Sequence, residues 1–586
     1  MTAAAGVKAA TLLAEPHHDG SDAYVVQAPE KPGDEAVVRV RVPREAAAAH
    51  VFLRHVQDGQ PKTVEAVVDE ETAEETWWLA RWRVWNPTTR YRWLLSGGEI
   101  GHAWLNGLGV SGVETTTSDD FVLALGPAGP GWHLGSVVYE VYPDRFASSG
   151  LAAEAPEWAR RRDWDRRPAA RGPSSAFELF GGDLRGIEQR FDYLQQLGVN
   201  VLYLTPFFPA RSTHRYDATT FAHVDPLLGG DEALASLVRA ARGRGMRILG
   251  DLTLNHTGSD HEWFVAARAD PSAVERAFYL FDDSLPLGYA AWMDLPTLPK
   301  LDWRSEELRL RMAVVIGSFD LDGWRVDVAN MTGRYRSIDV NAEVARWARE
   351  AAGERLLVAE HMHDFRPDLD GRGWHGVMNY AGFQRPVWWW LRGDAYDRDD
   401  YSQTPAPRYD GAEAVATMRR FRAGVPWTAT LHSWPVLGSH DTPRFATIVA
   451  SREHQLVGVG LQMTCPGVPM VYYGDELGLE GEWGEDGRRP MPWDRRDTWD
   501  GELLDAYRSL IALRRSSDAL ARGGLRYVHV SSDAIVYLRE TRDERLLCAA
   551  TRAASAYQPP AGELESLFST GTEAGPSFNV WRLHDG

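Results

Sequence analysis

The stretch Gly323-Trp-Arg-Val-Asp-Val-Ala-Asn330 determines how the rest of the chain is interpreted. Its apolar side chains alternate with Arg325 and Asp327, which is unusual because a strand inside a parallel sheet is normally an almost unbroken apolar run. Two charges on one buried face are costly unless they pair with each other or serve a reaction. The stretch therefore predicts a buried strand and leaves both explanations of its charges open.

The composition is that of a large, acidic, globular protein. The chain has 586 residues, of which 44% are hydrophobic and 25% charged, and its formal net charge is -19. That length predicts about two to four domains, and the acidic charge argues against a nucleic-acid partner. With only Cys465 and Cys548 present, no disulfide framework is expected. Residues 1–13 lack a secretion signal and no run is long enough to span a membrane, which predicts a cytoplasmic protein.

Short alternating stretches at both ends of the chain predict two β-rich domains. Residues 35–42 and 78–85 alternate apolar and polar side chains, as half-buried strands do. A β-sandwich is therefore expected over 1–125, followed by a linker at the Gly- and Pro-rich stretch 126–131. Near the other end, a second β-sandwich is expected over 515–586, with strands at 525–530, 534–539 and 545–550.

Strands and helices alternate between these two regions, over 132–512. Such alternation predicts an α/β fold with a parallel sheet, and eight repeats predict a closed (β/α)8 TIM barrel. The predicted barrel strands are 137–142, 201–204, 246–254, 323–330, 355–360, 376–380, 433–438 and 468–472. Helices are predicted at 183–197, 306–319 and 341–351, with another capped by Asp231. The length leaves room for a loop domain inserted at about 257–304, after the third strand.

Polar residues gather at the carboxyl ends of these strands, where barrel enzymes carry their active sites. The third strand ends in Asp251-Leu-Thr-Leu-Asn-His256, and the fourth holds Arg325 and Asp327. The fifth strand ends in Glu360 and the seventh in Ser439-His-Asp441. Structural ion pairs are a poor explanation for so many strand ends. A pair of carboxylates from neighbouring strands is the equipment for glycoside hydrolysis.

Asp327 and Glu360 form the predicted pair. Adjacent strands lie about 4.8 Å apart, which favours the short spacing of a retaining enzyme, where one carboxylate attacks the anomeric carbon and the other protonates the leaving oxygen. Arg325 is expected to keep Asp327 ionised, as a nucleophile requires. Desolvation after the apolar run 356–359 is expected to raise the pKa of Glu360. Asp441 is expected to stabilise positive charge on the sugar ring.

The strand-end segments resemble the signature regions of the α-amylase superfamily, family 13 of the glycoside hydrolases. The resemblance implies that Asp327 is the nucleophile, Glu360 the acid/base and Asp441 the transition-state stabiliser. It also implies ligands for the sugar at the cleaved bond, and Arg444 and His361 are added to this set. The predicted substrate-binding residues are thus Tyr216, His256, Arg325, His440, Arg444 and His361.

Four further segments narrow the resemblance to neopullulanases, cyclomaltodextrinases and maltogenic amylases: 139–146, 180–186, 298–302 and 489–493. This resemblance implies hydrolysis of α-1,4 bonds in maltooligosaccharides, cyclodextrins or other cyclic maltosaccharides. In that subgroup the N-terminal module often packs over the active site of a partner. Trp77, Trp78 and Trp104 would offer such a surface, so a homodimer is expected.

Three positions depart from the subgroup, all near the place where leaving-group sugars bind. Met331 stands where Glu is usual, Met362 where Trp is usual and Ser439 where Asn is usual. Methionine neither accepts hydroxyl hydrogen bonds as Glu does nor offers a ring for stacking. Weak acceptor binding is therefore expected, with hydrolysis dominating transfer and little action on α-1,6 bonds.

No cofactor or metal is predicted. Asn255 matches a calcium ligand of many α-amylases, but capping or loop hydrogen bonding explains it equally well, and the acidic calcium loop of some relatives is replaced by 147–153. Two other functions stay open. One is an exo-acting α-glucosidase or glucanotransferase on the same scaffold. The other is a non-catalytic binding or scaffolding relative, which would have lost catalytic carboxylates, whereas Asp327, Glu360 and Asp441 are all present.

Overall fold

The computed structural model describes residues 15–151, 154–172, 174–399, 403–554, 556–559, 564–571 and 575–584, so small parts of the predicted segments 1–125, 132–512, 147–153 and 515–586 lie outside the described residues. The first part of the chain forms two antiparallel sheets around one apolar core, as predicted. One sheet contains Val25–Gln27, Glu35–Pro43, Glu75–Arg83 and Val67–Glu71. The other contains Gln60–Glu65, His50–Gln57, Thr88–Gly97, Gly101–Asn106, Gly109–Ser111 and Phe121–Ala124.

A parallel sheet of seven strands follows. In spatial order its strands are Gly376–Asn379, Leu356–His361, Gly323–Asp327, Arg247–Thr253, Val201–Leu204, Val138–Val141 and Met470–Tyr472. The predicted strand 433–438 is reduced to single bridges, because Trp434 pairs in parallel with Met378 and Val436 with Met470. These bridges join the two edge strands and close the predicted barrel.

Helices and two short sheets cover and connect the barrel strands. The helices are Pro143–Phe146, Leu184–Glu188, Phe191–Leu197, Gly230–Arg242, Glu262–Ala269, Glu306–Ser318, Asn341–Ala352, Arg385–Leu391, Gly411–Arg422, Trp427–His432, Phe445–Ile448, Arg452–Thr464, Gly501–Ser516 and Asp518–Arg522. The short sheets pair Arg160–Arg161 with Glu178–Leu179 and Arg334–Tyr335 with Ile338–Asp339.

Two helix predictions were wrong in detail. The helix predicted at 183–197 is two helices, because Arg190 leaves the helical region at φ -103 and ψ 8. Asp231 does not cap its helix: Gly229, at φ 100, is the capping residue, and the Asp231 side chain accepts instead from the N–H of Val224. The apolar faces of these helices still pack into the barrel core.

The segment after the third barrel strand contributes Phe264, Phe278 and Tyr279 to the same apolar core as the barrel. Its separation as an inserted domain, like the three predicted domain boundaries, stays a prediction. At the other end of the chain, the described residues form one five-stranded antiparallel sheet where a sandwich was expected. Its strands, in spatial order, are Gly524–Val530, Ala534–Glu540, Arg545–Thr551, Ser577–Leu583 and Leu564–Ser569. Over the described ranges, every helix falls short of the length and hydrophobicity that crossing a membrane requires.

Candidate active site

Arg325 is the centre of a buried charge cluster at the carboxyl end of the barrel and is 0% exposed. Its Nη1 lies 2.8 Å from Oδ1 of Asp327 and 2.9 Å from Oδ2 of Asp251. Its Nη2 lies 2.8 Å from Oε2 of Glu360 and 3.8 Å from Oδ2 of Asp441. One guanidinium therefore gathers four carboxylates, including all three that the sequence predicted to be catalytic.

Strand register produces this arrangement. Asp251 on the third strand stands opposite Arg325 on the fourth. Val326 stands opposite Ala359 on the fifth strand, so Asp327 and Glu360, one residue further along each strand, are neighbours. Alternation of side chains turns Arg325 and Asp327 to the same face. The charges in the Gly323–Asn330 stretch are thus both paired and placed where barrel enzymes act.

Burial and mutual repulsion control the protonation of the central pair. Burial raises the pKa of Asp327 well above its ordinary value, since the attraction of Arg325 does not offset burial plus the repulsion of Glu360 and Asp251. The expectation that Arg325 keeps Asp327 ionised was therefore too simple. Burial also raises the pKa of Glu360, as expected, with Arg325 opposing and Asp441 reinforcing the shift. Asp327 and Glu360 thus titrate as a pair, and one proton on Glu360 relieves the repulsion on Asp327.

Glu360 is held by one of its two oxygens. The backbone N–H of Val328 donates to Oε2 at 2.7 Å, and this is the oxygen that Arg325 also contacts. Oε1 is left as the oxygen that can carry a proton. Val328 reaches this position at φ 43, in the left-handed region that β-branched residues rarely adopt. Strained backbone of this kind is typical of functional sites.

His440, Asp441 and Tyr216 form one wall of the cluster. Nε2 of His440 lies 2.5 Å from the Tyr216 hydroxyl and 3.2 Å from Oδ2 of Asp441. The Tyr216 and His440 rings stack, with centroids 5.7 Å apart. Burial alone would raise the pKa of Asp441, but the charges of His440, Arg488 and Arg325 outweigh it and lower that pKa. Asp441 is thus an ionised carboxylate, and its side chain is 26% exposed.

His256 stands on the other side of the pair. Its Nε2 is 4.0 Å from Oδ2 of Asp327, and neither atom has a hydrogen-bond partner within the described residues. Burial lowers the pKa of His256 to about 3, so the ring is neutral. Two buried polar atoms that point at the same space can bind the hydroxyl groups of a ligand.

The structure does not bring His361 and Arg444 to the cluster. His361 follows Glu360 on the same strand, so its side chain points to the opposite face, where Nε2 lies 3.0 Å from Asp368. Arg444 is 0% exposed and binds Asp475 at 2.8 Å. Both side chains have these partners outside the cluster of four carboxylates, and their assignment as sugar ligands stays a prediction.

Sequence analysis missed several polar side chains that complete the site. Asp251 was quoted in its motif but given no role. Glu140 binds Nδ1 of His440, and Arg488 lies 3.2 Å from Oδ1 of Asp441. Glu140 carried a usable signal, because it is a charge inside the apolar strand Val138–Val141, as Arg325 and Asp327 are in theirs. Arg488 carried no comparable signal, since it ends the short 3-10 helix Gly484–Arg488 and does not interrupt an apolar strand.

Asn255 is engaged by a lysine. Nζ of Lys300 donates to Oδ1 of Asn255 and, at 2.8 Å, to the carbonyl of Met331. Loop hydrogen bonding, one of the two explanations offered by the sequence, therefore accounts for Asn255. Within the part of the chain that the structure describes, no group of three His, Cys, Asp or Glu side chains is arranged to hold a metal ion.

A groove of about 380 Å³ lies near the cluster but is lined by other residues. It runs between Trp292 and Met293, on the segment after the third strand, and Met331 and Tyr335, on the loop after the fourth. The Trp292 ring lies 5.9 Å from that of His256, so the groove is next to the site. Met293 is 69% exposed and adopts φ 49. Met362 instead packs against the apolar interior of the barrel.

Comparison with known proteins agrees with this architecture. The family described as "Alpha amylase, catalytic domain" matches residues 140–507. Neopullulanase 2 of Thermoactinomyces vulgaris is 32% identical over 435 residues, which cover 71% of this chain and 69% of the relative.

Two solved structures extend the comparison. The cyclic α-maltosyl-(1→6)-maltose hydrolase of Arthrobacter globiformis, in complex with cyclic α-maltosyl-(1→6)-maltose, matches with a TM-score of 0.62 and 29% identity, over 73% of this chain and 92% of that one. A cyclomaltodextrinase matches with a TM-score of 0.70 over 97% of this chain and 100% of that one. At 23% identity, the second match establishes the fold alone, from the N-terminal sheets to the C-terminal sheet.

Proposed function

The chain belongs to the alpha-amylase family and is a glycoside hydrolase, and from that premise we propose that it is a retaining hydrolase of α-1,4-linked maltooligosaccharides and their cyclic forms. The observation that carries the proposal is the placement of Asp327 and Glu360, side by side on neighbouring strands and bound to one guanidinium. Neighbouring strands are about 4.8 Å apart, which fits a retaining pair at about 5 Å and is short of an inverting pair.

In the first half of the proposed reaction, the carboxylate of Asp327 attacks the anomeric carbon. The proton on Oε1 of Glu360 passes to the glycosidic oxygen as the bond from that oxygen to the anomeric carbon breaks. Positive charge that develops on the ring is stabilised by the ionised Asp441. In the second half, Glu360 takes a proton from water, the water oxygen displaces Asp327, and the sugar leaves with its original configuration.

Sugars beyond the cleaved bond would lie in the groove formed by Trp292, Met293, Met331 and Tyr335. Met331 lines this groove and offers no hydrogen-bond acceptor comparable to a carboxylate, which favours hydrolysis over transfer. The Trp292 indole supplies the aromatic surface that Met362 does not. We therefore propose preference for α-1,4 bonds, with acceptor sugars held by stacking more than by hydrogen bonds.

Two properties of the whole protein are part of the proposal. A cytoplasmic location is supported by Cys465 and Cys548, which are both buried and unpaired. A homodimer is supported by apolar surface on the N-terminal sheets, to which Trp104, only 8% exposed, contributes little. Val67 and Trp85, 62% and 52% exposed, are apolar surface in the same module.

A substrate panel tests the proposed function. β-Cyclodextrin, cyclic maltosyl-maltose, pullulan, starch, maltotriose and maltose are incubated with the enzyme, and products are followed by chromatography over time. We expect cyclic substrates and maltotriose to be opened at α-1,4 bonds, and Asp327→Asn to lose turnover while keeping its folded structure. Glucose released alone from the chain ends would indicate an exo-acting α-glucosidase, and longer products would indicate a transferase.

A further inference from the structure

Glu140 is a buried carboxylate with no part in the proposed reaction. It lies on the first barrel strand, Val138–Val141, and is 0% exposed. Its Oε1 binds Nδ1 of His440, and its Oε2 has no hydrogen-bond partner within the described residues. Oε1 also accepts from the backbone N–H of His440 at 3.4 Å. A buried carboxylate retains its charge only if a partner compensates it, and the His440 ring is the group placed to do so.

The hydrogen bonds of Tyr216 fix the proton on the other ring nitrogen. The Tyr216 hydroxyl donates to Oδ2 of Asp251 at 2.9 Å. A hydroxyl has one proton, so its oxygen can only accept from Nε2 of His440, 2.5 Å away. Oδ2 of Asp441, at 3.2 Å from the same Nε2, is a second acceptor. Nε2 therefore carries a proton.

Hydrogen-bond donors and acceptors also decide whether Nδ1 carries a proton. An ionised carboxylate only accepts hydrogen bonds, so Nδ1 must donate to Glu140. Two donating nitrogens make the ring an imidazolium. Burial by itself lowers the pKa of His440, but the nearby carboxylates of Asp441 and Glu140 outweigh it and raise the pKa above its ordinary value.

We infer that Glu140 is a positioning residue that holds His440 as a cation beside Asp441. The line Glu140–His440–Asp441 gives this side of the site one positive charge between two negative ones. That charge keeps Asp441 ionised when the neighbouring Asp327 and Glu360 share a proton. Loss of one His440 proton would remove the positive charge that offsets the negative charge of Asp441, so activity should fall at alkaline pH.

Other charged and titratable groups also face this ring and must be considered. Arg488 opposes the effect, because its Nε donates to the backbone carbonyl of His440 at 2.7 Å and its charge lowers the pKa of His440. The Tyr142 ring also lies near the His440 ring, with centroids 6.4 Å apart, and the Tyr216 hydroxyl links the ring to Asp251 and Arg325. Among the described residues, Glu140 and Asp441 are the carboxylates that contact the ring itself.

The first experiment reads the protonation state without using activity. Histidine labelled with nitrogen-15 is incorporated into the full chain, and the His440 signals are identified as those lost in His440→Gln. We expect both ring nitrogens to be protonated at pH 7 to 8 in the wild-type protein. A neutral ring, protonated at only one of its two nitrogens, would overturn the inference even if Glu140→Gln did not fold.

The second experiment measures the effect on the reaction, and for this part the inference rests on the proposed function. In Glu140→Gln, the amide keeps the size of the side chain but removes its charge. We expect the alkaline limb of kcat/KM to move down by at least about one pH unit, while the acid limb moves less. An alkaline limb that coincides with that of the wild type would contradict the inference, even if kcat fell.

Glu476→Gln is the matched control. Glu476 is equally buried and accepts from the hydroxyls of Tyr139 at 2.7 Å and Tyr193 at 2.5 Å. The variant thus removes the same charge from a buried carboxylate. That carboxylate contacts Tyr139, the neighbour of Glu140 in the chain, but does not contact His440. We expect its alkaline limb to match that of the wild type. Because the labelling experiment needs no substrate, failure of the proposed function and failure of this inference are distinguishable.

Discussion

The backbone N–H of Val328 binds Oε2 of Glu360 at 2.7 Å only because Val328 adopts φ 43. For a β-branched residue this left-handed conformation costs about 1–2 kcal/mol. The strain lies one residue after Asp327, and it turns the chain so that its N–H faces the neighbouring strand. The position of Glu360 thus depends on the backbone conformation of Val328, because the group that holds it is a backbone N–H and not a side chain.

Val328→Gly should therefore be at least as stable as Val328→Ala. Inside a helix or strand, a protein with Gly is less stable than one with Ala by about 0.5–1 kcal/mol. At position 328, however, Gly relieves the backbone strain and Ala keeps it. Both variants retain the N–H and should retain activity. Urea denaturation measures the two free energies of unfolding, and an alanine variant more stable than the glycine variant would show that Val328 is not strained.

Acceptor binding should respond to Met331 and not to Met362. Met331→Glu adds a hydrogen-bond acceptor to the groove, so transfer products from maltotriose with excess glucose should increase. Trp292→Ala removes the stacking surface and should raise KM more than it lowers kcat, because stacking of a sugar on a flat ring contributes to ground-state binding. Met362→Leu, a change at a partly buried side chain that packs against the barrel interior, is the control and should leave the ratio of transfer to hydrolysis unchanged. Equal effects of the two methionines would contradict the proposed role of the groove.

Lys300 should make the protein independent of calcium at Asn255. Its ammonium already binds Oδ1 of Asn255 and the carbonyl of Met331, so neither EDTA nor calcium should change Tm or activity. Lys300→Met leaves these buried oxygens unsatisfied and should lower the free energy of unfolding by about 1–3 kcal/mol. Lys62→Met, at an exposed strand position, serves as the control. A drop in Tm with EDTA would refute the structural role assigned to Asn255.

Three buried histidines at the other end of the barrel should make the fold sensitive to acid. Nδ1 of His133 lies 2.8 Å from Nδ1 of His432, and the His375 ring is 5.8 Å from that of His432. Burial lowers the pKa of His432 to about 4 and that of His375 to about 2, against 6.5 in the unfolded chain. Below pH 6.5 these imidazoles bind protons in the unfolded chain but stay neutral in the folded chain. The free energy of unfolding therefore falls as pH falls toward 4.

The free energy of unfolding should thus fall by about 1.4 kcal/mol per pH unit for each buried imidazole. His432→Gln removes one titrating ring and should reduce the slope between pH 6.5 and 4, whereas the exposed His223→Gln should not. Denaturation curves at several pH values measure both slopes. A slope that His432→Gln leaves unchanged would mean that these histidines do not control acid stability.

Much of the fold could be predicted because local patterns and tertiary structure agree. The alternating strands of the N-terminal region and the strand–helix rhythm of the barrel were predicted close to their observed bounds. The strand at 433–438 was harder, since only Trp434 and Val436 make bridges. That the C-terminal region forms one sheet and not a sandwich could not be predicted, because alternation shows that one face of a strand is buried but not what covers it.

Site residues could be predicted where a charge interrupts an apolar strand. They were missed where they lie on other segments of the chain. Asp327, Glu360 and Arg325 follow from strand position, and the structure brings them together. The direction of the Asp327 pKa could not follow from Arg325 alone, since it depends on burial and on carboxylates from other strands. The assignment of His361 relied on its proximity in sequence to Glu360, but side chains alternate along a strand and the His361 ring contacts Asp368 instead of the cluster.

The anomeric form of the first product tests the central claim that Asp327 and Glu360 act as a retaining pair. Proton NMR is recorded during the first turnovers on β-cyclodextrin or maltotriose, before the released sugar mutarotates. The side-by-side carboxylates predict that the new reducing end appears first as the α-anomer and converts slowly to the β-anomer. Appearance of the β-anomer first would mean direct attack by water on the anomeric carbon, and would contradict the retaining mechanism.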